Sequence, residues 1–463
     1  MRWSQNYSLA LVSTHKLPSE ILAYIFLLVA NLQSGSDWSG GPEVLTQVCS
    51  RWREIALRIP SLWRFIDLPF TGSVDTPQIN RATFFASHAH RSRLYIRLNS
   101  NPVPTTDVLE YPRALVDIVA PHIHSLDVTS VTAHDLMDRY QSSFMAAYFA
   151  RCTSGALKTL TISHSGDPIL FNVATDLPGY VGSRCMIFST GNLDHILASV
   201  TVLRIRGAYP IWTSKAYHGL VELRLSQGGT SHGGISISEK HLRGMLEASP
   251  ALRILEYSIA IVEEIPLSSS PTPVPLNHLE SLNVMKMPSA QLGTFWRLLA
   301  PGSKPLQLAM RDDDRAFLQL LESDEGRSFF ARSNVTSIYA KSLGVSSLSL
   351  LPHLCPCLKT LAWDGARLAL IGRWSMLEKQ LDSCIPHTHL ETLFILGGFV
   401  NDDALLKLIV KLPALSRLSF WMTTTYFPEF RRVHMNDISD LVSVYPHVEI
   451  VDNNPTLDWE VFH

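Results

Sequence analysis

The chain has 463 residues, and its 39 Lys+Arg nearly cancel its 41 Asp+Glu, leaving a formal net charge of −2. That balance argues against a global basic field recruiting nucleic acid or an anionic membrane. Hydrophobic residues at 46% and charged residues at 17% exclude wholesale disorder, and the length suits a small module followed by a larger body. The six cysteines (Cys49, Cys152, Cys185, Cys355, Cys357, Cys384) are too sparse to staple such a chain and read as reduced, mostly buried thiols of an intracellular protein. The longest apolar run, Ile21 to Ala30, is half of the ~20 residues a membrane span needs. No export signal precedes it, so cytoplasm or nucleus is the expected compartment.

Residues 1–16 read as a flexible N-terminus. Leu17-Pro18-Ser19-Glu20 then opens a helix, with Pro where a missing N–H costs nothing and Glu20 favoured by the dipole. Apolar residues at 21, 22, 25, 26 and 29 fall on one face of a 3.6-residue period. A Gly-rich stretch from Asn31 to Pro42 ends this helix. Val44, Leu45, Val48, Trp52, Ile55, Ala56 and Ile59 mark a second amphipathic helix, and Pro60-Ser61-Leu62-Trp63 begins a third short turn. Three short helices cannot bury so many large side chains among themselves, so an apolar surface is left that needs a partner or the next domain to cover it.

The order Leu-Pro-x-Glu-Ile-Leu-x-x-Ile-Phe, then Val48-Cys49-Ser50-Arg51-Trp52-Arg53-Glu54-Ile55-Ala56, then Pro60-Ser61-Leu62-Trp63 resembles the F-box-like module of fungal proteins. The likeness spans residues 17 to about 66, within a small all-α domain expected over 17–70. It implies docking onto a Skp-type adaptor that leads to a cullin–RING ubiquitin ligase. By the same resemblance Leu17, Pro18, Ile21, Leu22, Ile25 and Phe26 form the hydrophobic entry to that contact, and Val48, Trp52, Ile55 and Trp63 pack behind it or share it. The Gly/Ser loop at 33–41 is longer than the family's pattern, which leaves the angle between the first two helices open.

After a turn-rich link from Thr71 to Gln78, one pattern recurs: apolar-x-x-apolar-x-apolar. Its central positions are 126, 160, 203, 223, 255, 282, 306, 338, 361, 393 and 418, a repeat of about 29 residues with steps from 20 to 43. Helical segments separate several copies: Glu239 to Ala248, Ala290 to Leu299, Asp314 to Leu321 and Asp402 to Lys411. One strand plus one helix exposes an apolar edge alone and shares a core when stacked. The body over 71–463 therefore resembles an irregular leucine-rich repeat solenoid, an α/β horseshoe. It lacks the Asn or Cys that such repeats place three residues past the last apolar position, so the repeat number stays open, and a parallel-sheet α/β domain is the alternative. Pro266 to Pro275 reads as an exposed loop in which Ser270-Pro271 and Thr272-Pro273 suit proline-directed phosphorylation.

Candidate chemistry is thin. His353, Cys355, Cys357, Cys384, His387 and His389 are of zinc-ligand type, but the cysteines read equally as small residues packed where a helix meets a strand. Asp312-Asp313-Asp314 reads as a solvated cap beside a helix start, and Gly228-Gly229-Thr230-Ser231-His232-Gly233-Gly234 as a connector without a phosphate loop's Lys. No nucleophile elbow or metalloprotease helix occurs. The expectation is a non-catalytic chain with no cofactor and no resident metal.

Residues alternating with the buried apolars of each strand point out of the core. They give Arg204, Arg206 and Arg224, then Tyr339, Phe394 and Trp421, as the expected target-binding residues, the arginines suited to an acidic or phosphorylated segment. The functional expectation is a substrate receptor of a Skp–cullin–F-box ligase. Its rival is a non-degradative repeat scaffold whose N-terminal helices only cap the body.

Overall fold

A computed structural model describes residues 17–32, 41–69, 76–99, 113–130, 145–171, 184–186, 193–228, 235–263, 272–311, 315–341, 350–351, 354–364, 389–397, 399–400, 412–421, 424–425, 431–432, 448–456 and 459. The architecture is mixed α/β, dominated by parallel strands, and divides into two compact units, 1–216 with 228–233 and 217–227 with 234–463.

The first unit begins with helices α1 (Ser19–Leu32), α2 (Glu43–Val48) and α3 (Ser50–Leu57) and a 3-10 turn at Pro60–Trp63. One continuous second helix was expected from the apolar spacing; Cys49 splits it. Its backbone is extended (φ −159°), and its thiol accepts the Trp52 N–H at 3.5 Å, capping α3. Strands β1 (Phe65–Pro69), β2 (Leu94–Asn99), β3 (Ile123–Ser130), β4 (Thr159–His164) and β5 (Val202–Arg206) follow in chain order, each pairing in parallel with the one before. Helix α4 (Thr76–Ala89) separates β1 from β2, and α5 (Arg113–Val119) precedes β3. The turn-rich link was expected to run to Gln78, but α4 already begins at Thr76.

Register explains the core. Ile66, Ile96, Leu126, Leu160 and Leu203 align across the five strands, and Leu68, Leu98, Val128, Ile162 and Ile205 form a second buried row. Trp63 ties the helical module to this body. Its indole N–H donates to the Ala56 carbonyl at 3.0 Å, and its ring meets Phe84 and Phe85 of α4 edge-on at 5.3 and 5.1 Å. Beyond β5 the chain turns at Gly207 (φ +80°), where a β-carbon would lie 2.1 Å from the His164 carbonyl oxygen, so only glycine fits.

The second unit repeats the scheme. Its strands β6 (Glu222–Ser226), β7 (Ile254–Tyr257), β8 (Ser281–Asn283), β9 (Leu306–Arg311), β10 (Val335–Lys341), β11 (Thr360–Asp364), β12 (Thr392–Leu396), β13 (Arg417–Trp421) and β14 (Val448–Ile450) pair in parallel, in chain order. Leu223, Leu255, Leu282, Leu308, Ile338, Leu361, Leu393, Leu418 and Val448 form its central buried row. Leu308 occupies the ladder position in β9, where the repeat spacing had placed Leu306. Strands β1, β2 and β14 carry ladder residues without the full repeat pattern and were not expected.

Of the helices expected between strands, three are present: α7 (Glu239–Glu247), α8 (Ser289–Leu298) and α9 (Arg315–Glu322), α6 (Leu193–Leu197) being a shorter addition in the first unit. Helix α10 (Asp324–Ala331) follows directly on α9, and the segment Asp402 to Lys411 lies outside the described residues. Tyr257 stacks on Phe295 at 4.8 Å, and Trp296 on Phe329 at 5.1 Å, so aromatic rings join the ladder to α8 and α8 to α10. Part of the proline-rich stretch is regular after all: Val274–Leu276 pairs with Leu299–Pro301. Pro275 fits because a two-stranded ladder is all edge, where a missing donor is tolerated. Ser270 lies outside the described residues, and Thr272 is exposed.

Glu239 and Arg297 form a buried bidentate pair between α7 and α8, with Arg297 Nε 3.0 Å from Glu239 Oε1 and Nη2 bonded to Oε2. Such a pair offsets its own desolvation only while both members are present. Arg297→Met alone is expected to lower unfolding free energy by about 3–5 kcal/mol, whereas Arg297→Met with Glu239→Leu recovers most of it. Chemical denaturation of both variants checks this; a double variant no better than the single one would contradict it.

Candidate interaction surfaces

Within the N-terminal module the apolar residues divide between inside and outside. Leu22 and Phe26 are fully buried, Phe26 packing on Trp52 with ring centroids 4.9 Å apart, and Trp63 is buried as well. Leu22 and Phe26, expected in the hydrophobic entry, therefore hold α1 against α3 and are not available to a partner. The Arg51 guanidinium supports the same packing by donating to the Leu17 carbonyl at 2.6 Å.

The outward set is Ile21, Ile25 and Val48 from the expected list, with Pro18 exposed beside them, while Leu17, Trp52 and Ile55 are half-buried. Tyr24, Leu28, Val29 and Val44 join them and were missed. Their signal was legible: 21, 24, 25 and 28 repeat at helical spacing, forming a second apolar stripe beside the buried Leu22 and Phe26. Tyr24 is 61% exposed and Val44 59%, values unusual for large apolar residues clustered on neighbouring helices.

Opposite its core ladder, the first unit carries charge. Asp67, Arg97, Asp127, Thr161 and Arg204 align across the five strands, and Arg206 lies in register with Ser163. Both expected arginines are half-buried. Burial raises the Asp67 and Asp127 carboxyls above the ordinary aspartate value, against the pull of Arg97 on both and of Arg204 on Asp127. Phe65 and Tyr95 pack at 4.9 Å beside this row, with the Arg64 guanidinium over both rings.

In the second unit Arg224 departs from expectation. All five residues of β6 are buried, and the guanidinium sits 2.5 Å from Glu222 and 3.5 Å from Glu256. Arg224 is thus engaged inside the fold and not presented to a target. Burial raises Glu256, with Arg224 opposing the shift. Tyr339 and Phe394 are likewise buried, and Trp421 is half-buried. The structure does bring these three aromatics together: with Ala309, Ala362 and Leu396 they form one apolar cluster on the face opposite the leucine ladder, against which Met285 and Trp459 pack. Trp459 was not foreseen, because it lies beyond the last repeat.

No protein-family model matches the chain, and no curated protein matches it either.

Of the six zinc-type residues, His353, Cys384 and His387 lie outside the described residues. Cys355 is buried, its thiol pushed far up by burial and by Cys357, whereas Cys357 and His389 are exposed. Among the described residues no group of three or more His, Cys, Asp or Glu is placed to hold a metal ion. The thiols are less buried than expected: Cys49 and Cys152 are only half-buried, though burial still raises Cys152 to about 12. Asp312 to Asp314 and Gly229 to Gly234 are outside the described residues; Gly228 is buried against Gly207. Among the described residues no helix is long and apolar enough to cross a membrane.

The raised Asp127 has a definite linkage sign. A carboxyl whose folded value lies above its unfolded one adds stability below the unfolded value and loses it as pH rises through the folded value. Asp127→Asn is therefore expected to unfold at a higher temperature than wild type at pH 7, with that advantage shrinking toward pH 4. Thermal melts at the two pH values test this, and a variant less stable at pH 7 than at pH 4 relative to wild type would contradict it.

Proposed function

We propose that the chain is a substrate receptor of a Skp–cullin–F-box ubiquitin ligase, docking a Skp-type adaptor through residues 17–63 and presenting a target on its repeat body. The observation that carries the reading is the exposed stripe of Ile21, Tyr24, Ile25, Leu28 and Val29 with Val44 and Val48. A folded module that keeps Leu22, Phe26, Ala56 and Trp63 inside yet leaves this stripe outside has apolar area to give to a helical or groove-forming partner. The fungal F-box resemblance of the same residues names the partner class.

The body reads as an irregular leucine-rich repeat solenoid. Strands that pair in parallel in chain order, each donating one leucine-type residue to a common row, support that reading. The receptor has no catalytic step of its own. It raises the local concentration of target lysines beside a conjugating enzyme held by the other subunits. A cytoplasmic or nuclear setting follows from that role.

The packing of Trp63 on α4 favours a second function for the module, capping the first strand of the body. Capping uses the inward side chains and docking the outward ones, so the two coexist; a module that only caps makes the chain a non-degradative scaffold.

Co-purification with a Skp-type adaptor separates these readings. Ile21→Asp with Val48→Asp alters exposed positions, so the circular dichroism spectrum is expected to stay native while adaptor recovery falls at least tenfold. Equal recovery of wild type and variant would leave only the scaffold.

A further inference from the structure

The apolar cluster of the second unit lies on the strand face that a repeat receptor offers its target, yet part of the chain already sits there. Across β9 to β12 the residues at one register position are Ala309, Tyr339, Ala362 and Phe394. Small and large side chains alternate, so with Trp459 withdrawn the two rings would flank a notch floored by Ala362. The rim is polar: Arg417 and Ser419 hold Glu449 at 2.7 Å each, the Arg417 guanidinium lies over the Phe394 ring at 5.5 Å, and Lys341 lies 3.8 Å from Asp364. An apolar floor with aromatic walls and a charged rim is the composition of a peptide-anchor site.

Its occupant is Trp459. The indole packs on the cluster and meets the Tyr339 ring edge-on at 6.3 Å. An end cap needs to cover only β14 and its neighbour. Trp459 instead reaches β10, four strands back, about 19 Å at the usual strand spacing and within the ~30 Å reach of nine residues. The segment leaves the sheet after the Val451 N–H bonds the Phe420 carbonyl at 2.9 Å. Past that point its hydrogen bonds among the described residues are internal: Asn454 Oδ1 accepts from the Thr456 N–H and hydroxyl, and the Trp459 N–H donates to the Thr456 carbonyl. A segment seated by side-chain packing and self-contained turns can leave without breaking the sheet.

We propose that the hollow between Tyr339 and Phe394 is a binding site for a peptide segment bearing an aromatic anchor residue, held in cis by Trp459 until such a segment displaces it. The proposal rests on reading this face as the recognition face and is independent of adaptor docking. Trp459 is a stand-in for the ligand, and a target competes with it by offering a ring of similar size together with polar groups that meet the Arg417 and Glu449 rim. Because the ligand must first open the segment, its apparent affinity is reduced by the fraction of time the hollow is free.

The test uses the full chain and a fluorescein-labelled synthetic peptide of residues 451–459 as the probe. The probe is expected to bind Trp459→Ala saturably and at least tenfold more tightly than wild type. Filling the notch with Ala362→Leu in the Trp459→Ala background, or replacing the tryptophan of the probe by alanine, is expected to abolish binding. Equal affinity for wild type and Trp459→Ala, or equal binding of the tryptophan-free probe, overturns the proposal. Should Trp459→Ala unfold, wild-type amide exchange at Thr456, fully buried and past the last sheet bond, decides: excess unlabelled probe is expected to accelerate it, and unchanged exchange overturns the idea. Adaptor capture by the same proteins is read in parallel. Lost capture with intact probe binding removes the ligase reading alone, and the converse removes the hollow alone.

Discussion

The rest of the structure depends on one repeated contact: an aliphatic side chain on each strand stacked against its equivalent on the next. A parallel strand has no hairpin partner to fix its register; the buried row does so instead, since a slip of one residue would turn the row outward. Leu126 on Leu160 on Leu203 in the first unit, and Leu255 on Leu282 on Leu308 in the second, are instances of the same lock. The irregular spacing of the repeat is tolerated because only the strand must match. Connections between strands vary from the single long helix α4 to the paired helices α9 and α10 without disturbing the row.

That contact also determines what the opposite face can be. With one set of side chains committed to the leucine row, the alternate set is spared that role and can carry other groups. The two units use this freedom differently. The first places Asp and Arg side by side, raising the carboxylates by burial and balancing them with guanidinium charge. The second places aromatics beside alanines and so makes a second apolar surface, which the tail covers.

Much of this was legible in the residues. The six-residue pattern located β3 to β13, and the 3.6-residue period found α1, α7, α8 and α9. The misses share a physical cause: a one-dimensional pattern shows which side chains are apolar but not which apolar group covers them. Leu22 and Ile21 are adjacent and similarly hydrophobic, yet one is buried and the other exposed. Tyr339 and Phe394 satisfied the rule for outward residues and did leave the leucine core, only to be covered by Trp459, about 65 residues beyond Phe394 in sequence. Arg224 likewise alternates with buried leucines, but Glu222 and Glu256 hold it inside. Cys49 broke a helix that its neighbours favoured because its own backbone is extended and its thiol caps the next turn.

The central claim is that helices α1 and α2 present an apolar stripe to solvent, available to the proposed adaptor. Hydroxyl-radical footprinting of the free chain tests it directly, with the fully buried Tyr257 as an internal reference. Tyr24 is expected to oxidise at a rate close to that of an exposed tyrosine, far above Tyr257, and to become protected when a Skp-type adaptor is added. Protection of Tyr24 in the free chain, equal to that of Tyr257, would contradict the account.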